Sequence, residues 1–307
     1  MLRFIAHRLW QSAVTLLAIV AATFFIIRNA PGNPFMSEKA ALPHVRAELS
    51  RIYGLDRPQV EQLVIYLKKA ILHADLGPSM KHQDWTVSEI IGGAFPISLQ
   101  LGLSAIVVAL IVGIPIGVVA AVRRNTRTDW SLMSLAMIGI CLPTFVIGPM
   151  LALTLGMKLH IFNVGGWFDW RDGILPSLAL GLYQAAYVAR MTRAGMLEVL
   201  TSDFIRTARA KGVAGPAVVY RHGLRVGLTP VVAYLGPALA GLVTGGFVTE
   251  NVFQVPGLGQ HFVAAARNSD YWLLLGATTF FAALLIAANI VVDIVQAWLN
   301  PRIRLGS

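Results

Sequence analysis

The sequence has a single cysteine, Cys141, which lies inside a hydrophobic run. One thiol makes neither an intrachain disulfide nor a cysteine-based metal site, so a disulfide-stapled secreted domain and a zinc ribbon are both excluded. We interpret Cys141 as a small, buried, apolar residue.

Several motifs of well-known enzyme classes are also missing. No lysine is followed by Ser or Thr, which excludes a phosphate-binding loop ending in Gly-Lys-Ser/Thr. The seven histidines are scattered, and neither His-Glu-x-x-His nor Gly-x-Ser-x-Gly occurs. We therefore expect no catalytic residue, no metal site and no cofactor in this chain.

Charge is scarce, whereas apolar residues are abundant. Only 13% of the residues are charged, 56% are hydrophobic, and the mean hydropathy is +0.66. A helix needs roughly 20 apolar residues to cross a bilayer. The sequence therefore predicts an all-α membrane protein with six transmembrane helices, at about 9–27, 97–122, 130–157, 174–190, 229–250 and 273–299.

The net charge of +10 does not indicate a nucleic-acid partner, because the cations are unevenly distributed between the loops. The two short loops on one side of the six-helix arrangement contain only Lys158, Arg171 and Arg267. Lys and Arg concentrate in cytoplasmic loops, so the opposite side and both termini are predicted to be cytoplasmic. That side contains Arg3, Arg8, Arg123, Arg124, Arg127, Arg190, Arg193, Arg206, Arg209, Lys211, Arg221, Arg225, Arg302 and Arg304.

We divide the chain into an N-terminal segment with the first transmembrane helix (1–27), a periplasmic insertion (28–96) and a five-helix core (97–307). In the insertion, one helix is predicted to start near Pro43. A second follows an Asp56 cap, and Thr86-Val-Ser-Glu89 indicates a capping box before a short helix. The insertion either contacts delivered substrate or a binding protein, or serves as a structural lid. The second helix has the apolar repeat Val60, Leu63, Val64, Leu67 and Ile71.

Small residues and prolines recur inside the hydrophobic segments. Gly113-x-x-x-Gly117 and Gly241-x-x-x-Gly245 have the spacing that lets helix backbones approach closely in lipid. Prolines inside the bilayer free backbone carbonyls and bend helices around a cavity. The sequence therefore predicts close helix packing at the glycine pairs and bends at the prolines, which are Pro115, Pro143, Pro149 and Pro237.

A long polar segment, residues 191–228, separates the predicted fourth and fifth transmembrane helices. Ser202 or Asp203 is suited to cap a short helix, and Gly212 to end it in a left-handed turn. Gly215-Pro216 then begins a second helix. The first helix is predicted to place Phe204, Ile205 and Ala208 on one face. A helix-turn-helix on the charged side of a membrane is suited to docking.

This segment, Phe-Ile-Arg-Thr-Ala-Arg-Ala-Lys-Gly from Phe204 to Gly212, resembles the cytoplasmic coupling motif of bacterial ABC importer permeases. The resemblance covers nearly the whole chain and is to the peptide branch, in particular the oligopeptide permeases. Further matching motifs are Asn-Ala-Pro31-Gly32, Leu76-Gly77-Pro78-Ser79, Glu250 to Gly259, Asp270-Tyr271 and Pro301-Arg302-Ile303-Arg304; departures from the usual pattern are Gly223, Val226, Thr229 and Asn300.

The resemblance implies a type I ABC importer-like permease in a bacterial inner membrane, with a cytoplasmic coupling helix. It further implies a complex with a second permease, two ATPases that bind ATP and Mg²⁺, and a periplasmic peptide-binding protein. Oligopeptides are the implied cargo, and dipeptide, glutathione and nickel permeases share the same loop. The implied coupling residues are Arg206, Ala208, Arg209, Ala210, Lys211 and Gly212.

An ion-coupled carrier is the alternative from another class, and it needs ionisable groups near the middle of the bilayer. The hydrophobic segments offer few. Glu250 and Asn289 are the candidates for the translocation path. Glu250 is alternatively an interfacial carboxylate at a helix end, and Asn289 is paired at i, i+4 with Asp293. A weakly polar interior suits varied cargo better than selective ion binding.

Overall fold

The computed structural model describes residues 2–29, 51, 54–82 and 84–299. Within them the only β-type contact is an isolated bridge between Pro78 and Thr86, so the all-helical prediction is confirmed for this part of the chain. The α-helices are α1 Leu2–Asn29, α2 Gln59–His73, α3 Val87–Val122, α4 Arg127–Cys141, α5 Thr144–Leu151, α6 Ile174–Leu200, α7 Asp203–Ala210, α8 Gly215–Ala217, α9 Leu224–Gly227, α10 Thr229–Gly245, α11 Phe247–Val252, α12 Leu258–Asn268 and α13 Tyr271–Leu299. Ala152–Lys158 and Val218–Gly223 are π-helical, and Trp170–Gly173 is a 3₁₀ turn.

Among the described residues, four helical stretches are long and apolar enough to cross a membrane: His7–Asn29, Val87–Val122, Thr229–Val252 and Tyr271–Val291. A fifth results if Arg127–Cys141 and Thr144–Lys158, which meet at 101°, are counted as one span. The predicted fourth span lies in α6, which is not among them. The C-terminal half of α6 includes Arg190 and Arg193, which lower its hydropathy.

The chain divides into two compact units. The first consists of Met1–Ser98 and Pro256–Ser307, and the second of Leu99–Val255. Because α3 passes from one into the other, the predicted boundary at residue 97 falls inside a continuous helix. The short helix expected after Thr86 is therefore the beginning of this 36-residue helix. The capping box itself is confirmed: the Thr86 amide donates to the Glu89 carboxylate (2.8 Å), and the Glu89 amide donates to the Thr86 hydroxyl (3.2 Å).

In the first unit, α1 and α13 pack together and α2 lies against them. Val20, Phe24 and Ile27 of α1 form a buried cluster with Leu275 of α13 and Tyr66 of α2. The hydroxyl of Tyr66 also shares a 3.0 Å hydrogen bond with Thr279 of α13. The helix expected near Pro43 lies outside the described residues.

The apolar repeat predicted for α2 forms only part of its packed face: Leu63 and Leu67 lie against the buried cluster, and the other three residues do not. Val60, Val64 and Ile71 are 64%, 58% and 75% exposed, whereas Gln62 and Tyr66 are buried. Gln62 tolerates burial because its amide is hydrogen-bonded on both sides: Oε1 accepts from Arg28 of α1, and Nε2 donates to the backbone of the preceding turn. This polar contact rotates the packed face away from the one that hydrophobicity alone predicts.

Asp270, just before α13, connects two of the matching motifs. The buried hydroxyl of Ser79 donates to Asp270 Oδ2 (2.6 Å), and the amide of Met80 donates to the same oxygen (3.2 Å). Asp270 Oδ1 accepts from the amide of Leu273 and so caps α13 (3.1 Å). One carboxylate therefore fixes both the end of the insertion and the start of the last long helix.

In the second unit, α6 is the central helix and packs closely against α3. A Cβ added at Gly113 would meet the Ala185 carbonyl at 2.7 Å, and one at Gly117 would meet the Ala189 carbonyl at 2.5 Å. The predicted helix contact at this glycine pair is therefore confirmed. At Gly241 the prediction is wrong for the isolated chain, because a Cβ there would meet nothing within 4 Å.

The prolines differ in their effects. Pro143 stands at the 101° bend between α4 and α5, and Pro149 lies inside α5, which continues as π-helix. Pro115 lies inside α3, which runs on without a break. Cys141, at the end of α4, is exposed rather than buried. Because it is exposed, the interpretation of Cys141 as a buried residue is wrong for the isolated chain.

Candidate functional site

The candidate site is the connection between α6 and α10, and its first element is the short helix α7. Ser202 has the extended backbone of an N-cap residue, but its side chain makes no capping bond. Its hydroxyl instead donates to the Val199 carbonyl (2.6 Å). Asp203 forms an ion pair with Arg206 (3.4 Å) in the first turn. Both side chains are largely exposed, so this pair contributes little to stability.

The end of α7 has the geometry predicted from Gly212. Gly212 has φ +79°, in the left-handed region that side chains with a Cβ rarely adopt. Its amide donates to the Arg209 carbonyl (3.0 Å), and the next amide, of Val213, donates to the Ala208 carbonyl (3.2 Å). These two bonds define a Schellman motif, which satisfies the last carbonyls of the helix and reverses the chain.

Ile205 fastens α7 to the rest of the second unit. It is completely buried in a cluster with Val199 of α6 and Val218 of the π-helix, and Val213 packs against the same cluster. Of the three residues predicted to share one face of this helix, only Ile205 is buried; Phe204 is 46% exposed and Ala208 is half-buried. A single buried side chain thus connects the loop helix to α6.

The six predicted coupling residues lie on the last turns of α7 and the turn that follows it, and most of them face solvent. Arg206, Arg209, Ala210, Lys211 and Gly212 are exposed, and Ala208 is half-buried. The surface therefore combines three cations with two small residues and a glycine turn. Small side chains let a partner approach the backbone, and the cations favour an acidic partner. We call this surface, residues 206–212, the loop surface.

Behind the loop, α6 and α9 are in backbone contact. A Cβ added at Gly195 would collide with the Gly227 backbone, and one at Gly227 would lie 2.7 Å from Met196 Sδ. Gly223, one of the departures from the usual pattern, leaves room for Met196: a Cβ there would be 3.2 Å from its Cε. These contacts leave little space for the loop to shift without moving α6.

An ion pair between α4 and α6, with a buried carboxylate and a partly exposed guanidinium, was not predicted from the sequence. Arg193 donates to both carboxylate oxygens of Asp129, from Nε at 2.7 Å and from a terminal nitrogen at 2.8 Å. The Asp129 side chain is only 4% exposed and also accepts from the Asn125 amide (2.9 Å). The partners are 64 residues apart, and no local spacing signals such a contact. The bidentate geometry holds α4 on α6 near the loop.

The two residues predicted for the translocation path lie in different units. Glu250, in α11 of the second unit, is 1% exposed. Asn289, in α13 of the first unit, is exposed and lines a surface groove of about 510 Å³ with Arg8, Gln11 and Thr15 of α1. The side chain of Asp293, its expected partner, lies outside the described residues. The role of both residues in a path stays a prediction.

Two family models match the chain. The model of the binding-protein-dependent transport system inner membrane component matches residues 113–305. A second model, for the N-terminal part of the binding-protein-dependent transport system membrane component, matches residues 1–102. The first of these matches includes the whole loop surface.

Individual relatives align over almost the full length. The oligopeptide transport system permease protein OppB of Salmonella typhimurium is 42% identical over 306 residues, which cover 99% of this chain and 100% of the relative. The dipeptide transport system permease protein DppB of Bacillus subtilis is 39% identical over 305 residues, 99% of either chain.

Solved structures share the fold at lower identity. A chain of the MetNI methionine ABC transporter, in an inward-facing conformation, matches with a TM-score of 0.54 and 18% identity, covering 67% of this chain and 96% of that one. An amino acid ABC transporter solved with histidines gives a TM-score of 0.51 at 14% identity, with 70% and 94% covered. At these identities the likeness concerns the fold alone.

Proposed function

Since this chain belongs to the family of binding-protein-dependent transport system inner membrane components, we propose that it carries oligopeptides across the inner membrane as one permease subunit of an ATP-driven importer. The cargo is inferred from relatives whose names specify oligopeptide and dipeptide transport. Peptides with different side chains share one path only if its walls bind none of them tightly, so selection is assigned to a separate binding protein.

The loop surface is the observation that carries this proposal. Its Schellman turn presents Arg209, Ala210 and Lys211 to solvent, while Ile205 holds the helix onto the protein. A partner that pushes or pulls on this surface therefore acts on a preformed helix rather than on a flexible loop. We assign the loop surface to the contact with a cytoplasmic ATPase.

Motion of the loop would pass to the membrane helices through α6. Ile205 packs on Val199 at the end of α6, and Gly195 touches Gly227 one turn further in. The Asp129–Arg193 pair connects α6 to α4 in turn. ATP-driven closure of the partner subunits would thus be transmitted to several helices at once and would switch access to the path.

The topology in this proposal has six spans, with the bent pair α4 and α5 counted as the third and α6 as the fourth. The loop surface and both termini then lie in the cytoplasm, as the distribution of Lys and Arg favours. The full complex in this proposal contains a second permease, two ATPases that bind ATP and Mg²⁺, and a periplasmic peptide-binding protein.

Labelling tests the topology. In a Cys141→Ala background, single cysteines at Lys68 and Arg171 should react with a membrane-impermeant maleimide added to intact cells, whereas one at Arg209 should react only after the membrane is opened. The Cys141 change is required because that thiol is exposed. Reaction at position 209 in intact cells would overturn the six-span arrangement.

Co-purification and uptake test the function. The tagged chain should be recovered with a second permease and two ATPases, and the reconstituted complex should import tri- and tetrapeptides with ATP hydrolysis that rises when loaded binding protein is added. An ion-coupled carrier would purify alone and would import without ATP. Dipeptides imported in preference to longer peptides would change the assigned cargo but not the mechanism.

A further inference from the structure

A group of neutral polar side chains lies between α6 and α10 in the second unit. On α6, Tyr187 lies one turn after both Tyr183 (i, i+4) and Gln184 (i, i+3), so it is a neighbour of each on the helix surface. Tyr234 of α10 donates from its hydroxyl to Gln184 Oε1 at 2.6 Å and stacks on Tyr187 with ring centroids 6.2 Å apart. We call these four residues the tyrosine face.

The hydrogen-bonding capacity of the tyrosine face exceeds what its members use among themselves. The hydroxyls of Tyr183 and Tyr187 share one hydrogen bond of 3.2 Å, in which either is the donor. Each hydroxyl has one proton to donate and two lone pairs to accept with. Within the described contacts, one of the two protons and several lone pairs therefore stay available to a ligand.

Two members of the tyrosine face, Tyr183 and Gln184, line an open cavity of about 280 Å³, while Tyr187 and Tyr234 contact them from behind. Tyr183 and Gln184 line one side, Gly241 of α10 lines another, and Pro143 and Thr144 line it at the bend between α4 and α5. A Cβ added at Gly241 would meet nothing within 4 Å, so the α10 backbone is uncovered there. Broken helices and uncovered backbone inside a membrane protein are typical of the walls of a water-filled cavity.

The chemistry of this cavity fits a peptide main chain. The Tyr183 hydroxyl and the Gln184 amide donate and accept hydrogen bonds without charge, as the N–H and C=O of a peptide group require. No Asp, Glu, Lys or Arg is among the described residues that line it. A charged wall would hold some peptides and repel others, whereas neutral groups that bind the main chain treat different side chains alike.

We propose that Tyr183 and Gln184, positioned by their hydrogen bonds to Tyr187 and Tyr234, form a subsite that hydrogen-bonds the main chain of a peptide as it crosses the membrane. This inference rests on the proposed function and assigns part of the translocation path to α6 and α10. The cavity lies just below the roughly 300–1,000 Å³ of small-molecule pockets. It therefore contacts a short segment of the peptide at a time, which favours passage over tight binding.

Peptides with methylated amides provide the test. The complex, purified with its partner subunits and reconstituted with binding protein, would import a tetrapeptide and the same tetrapeptide N-methylated at one internal amide. Removing one neutral hydrogen bond should slow wild-type uptake about two- to tenfold. The Tyr183→Phe/Tyr187→Phe double variant should import the unmodified peptide slower by a similar factor and show no further loss with the methylated one.

The control is Tyr66→Phe, which removes the hydroxyl of a buried tyrosine that is bonded to Thr279 in the first unit. It should preserve the full difference between the two peptides. Gly241→Leu, which fills the open side of the cavity, should abolish uptake while the amount of assembled complex stays normal.

The outcomes separate the two proposals. If the wild-type complex imports no peptide, the proposed function fails. If it imports peptide and the double variant discriminates against N-methylation as strongly as wild type does, the tyrosine face only holds α6 to α10 and the subsite is refuted.

Discussion

Replacing Gly212 by valine tests whether the turn at the end of α7 is required for coupling. Gly212 has φ +79°, a region in which an L-residue loses roughly 1–2 kcal/mol, and a β-branched residue is especially disfavoured. An added Cβ would meet nothing within 4 Å, so no clash adds to this penalty. A loss of about 1.4 kcal/mol lowers the population of the native turn about tenfold relative to alternatives.

The turn is exposed and lies away from the membrane helices, so membrane abundance of Gly212→Val should stay near normal. Docking of the ATPase should weaken, or hydrolysis should continue without matching peptide uptake. The assay measures uptake of a labelled tetrapeptide and ATP turnover on the same reconstituted complexes. Gly212→Asn, which tolerates a left-handed backbone better, should lose less.

Gly215→Val is the matched control. Gly215 is exposed in the same loop, an added Cβ would also meet nothing within 4 Å, and its φ is outside the left-handed region. The variant therefore adds the same side chain without backbone strain. Equal losses in both valine variants would show that bulk rather than the turn matters, and unchanged uptake and turnover in Gly212→Val would refute the role of the turn.

The other predictions concern the loop surface and two helix contacts. Ala208→Asp should uncouple uptake from hydrolysis, because a docked partner would desolvate an unpaired carboxylate. Ala208→Ser should have a small effect. Equal ratios of peptide uptake to ATP hydrolysis in the two variants would contradict the docking contact. Asp129→Asn should destabilise the complex by about 2 kcal/mol. This is less than the 3–5 kcal/mol lost when a fully buried pair is broken, because the Arg193 side chain is 28% exposed. Thermal unfolding in detergent measures the loss, and an unchanged midpoint would contradict the prediction. Gly117→Leu should reduce membrane abundance several-fold, because α6 leaves no room for a side chain there. Gly93→Leu should not, because a Cβ added at Gly93 would meet nothing within 4 Å. Immunoblots of membranes compare the two variants, and equal abundance would contradict the close packing.

Features encoded by neighbouring residues could be predicted from the sequence. The stop at Gly212 and the capping box of Thr86 and Glu89 depend on residues within one helical turn, and the structure has both. The glycine pair at 113 and 117 could be predicted because its spacing on one helix face is itself the signal. Hydrophobic length likewise located the long helices.

Features that depend on distant partners could not be predicted in this way. The buried face of α2 follows Gln62, whose partner Arg28 lies on α1. The ion pair of Asp129 with Arg193 joins residues 64 positions apart. Gly241 begins the same i, i+4 spacing as the packed pair at 113 and 117, yet it faces open space. The spacing indicates which helix face a glycine occupies, but not which element packs against that face.

The hydrogen bonds of Asp270 bear on how this protein can be recombined with its relatives. The carboxylate accepts from Ser79 and Met80 in the insertion while it caps the last long helix. The insertion is therefore not an independent cassette, although it is contiguous in sequence. A chimera that takes its insertion from another permease must inherit a compatible residue at position 270, nearly two hundred positions downstream. Divergence at the two places is accordingly constrained to occur together.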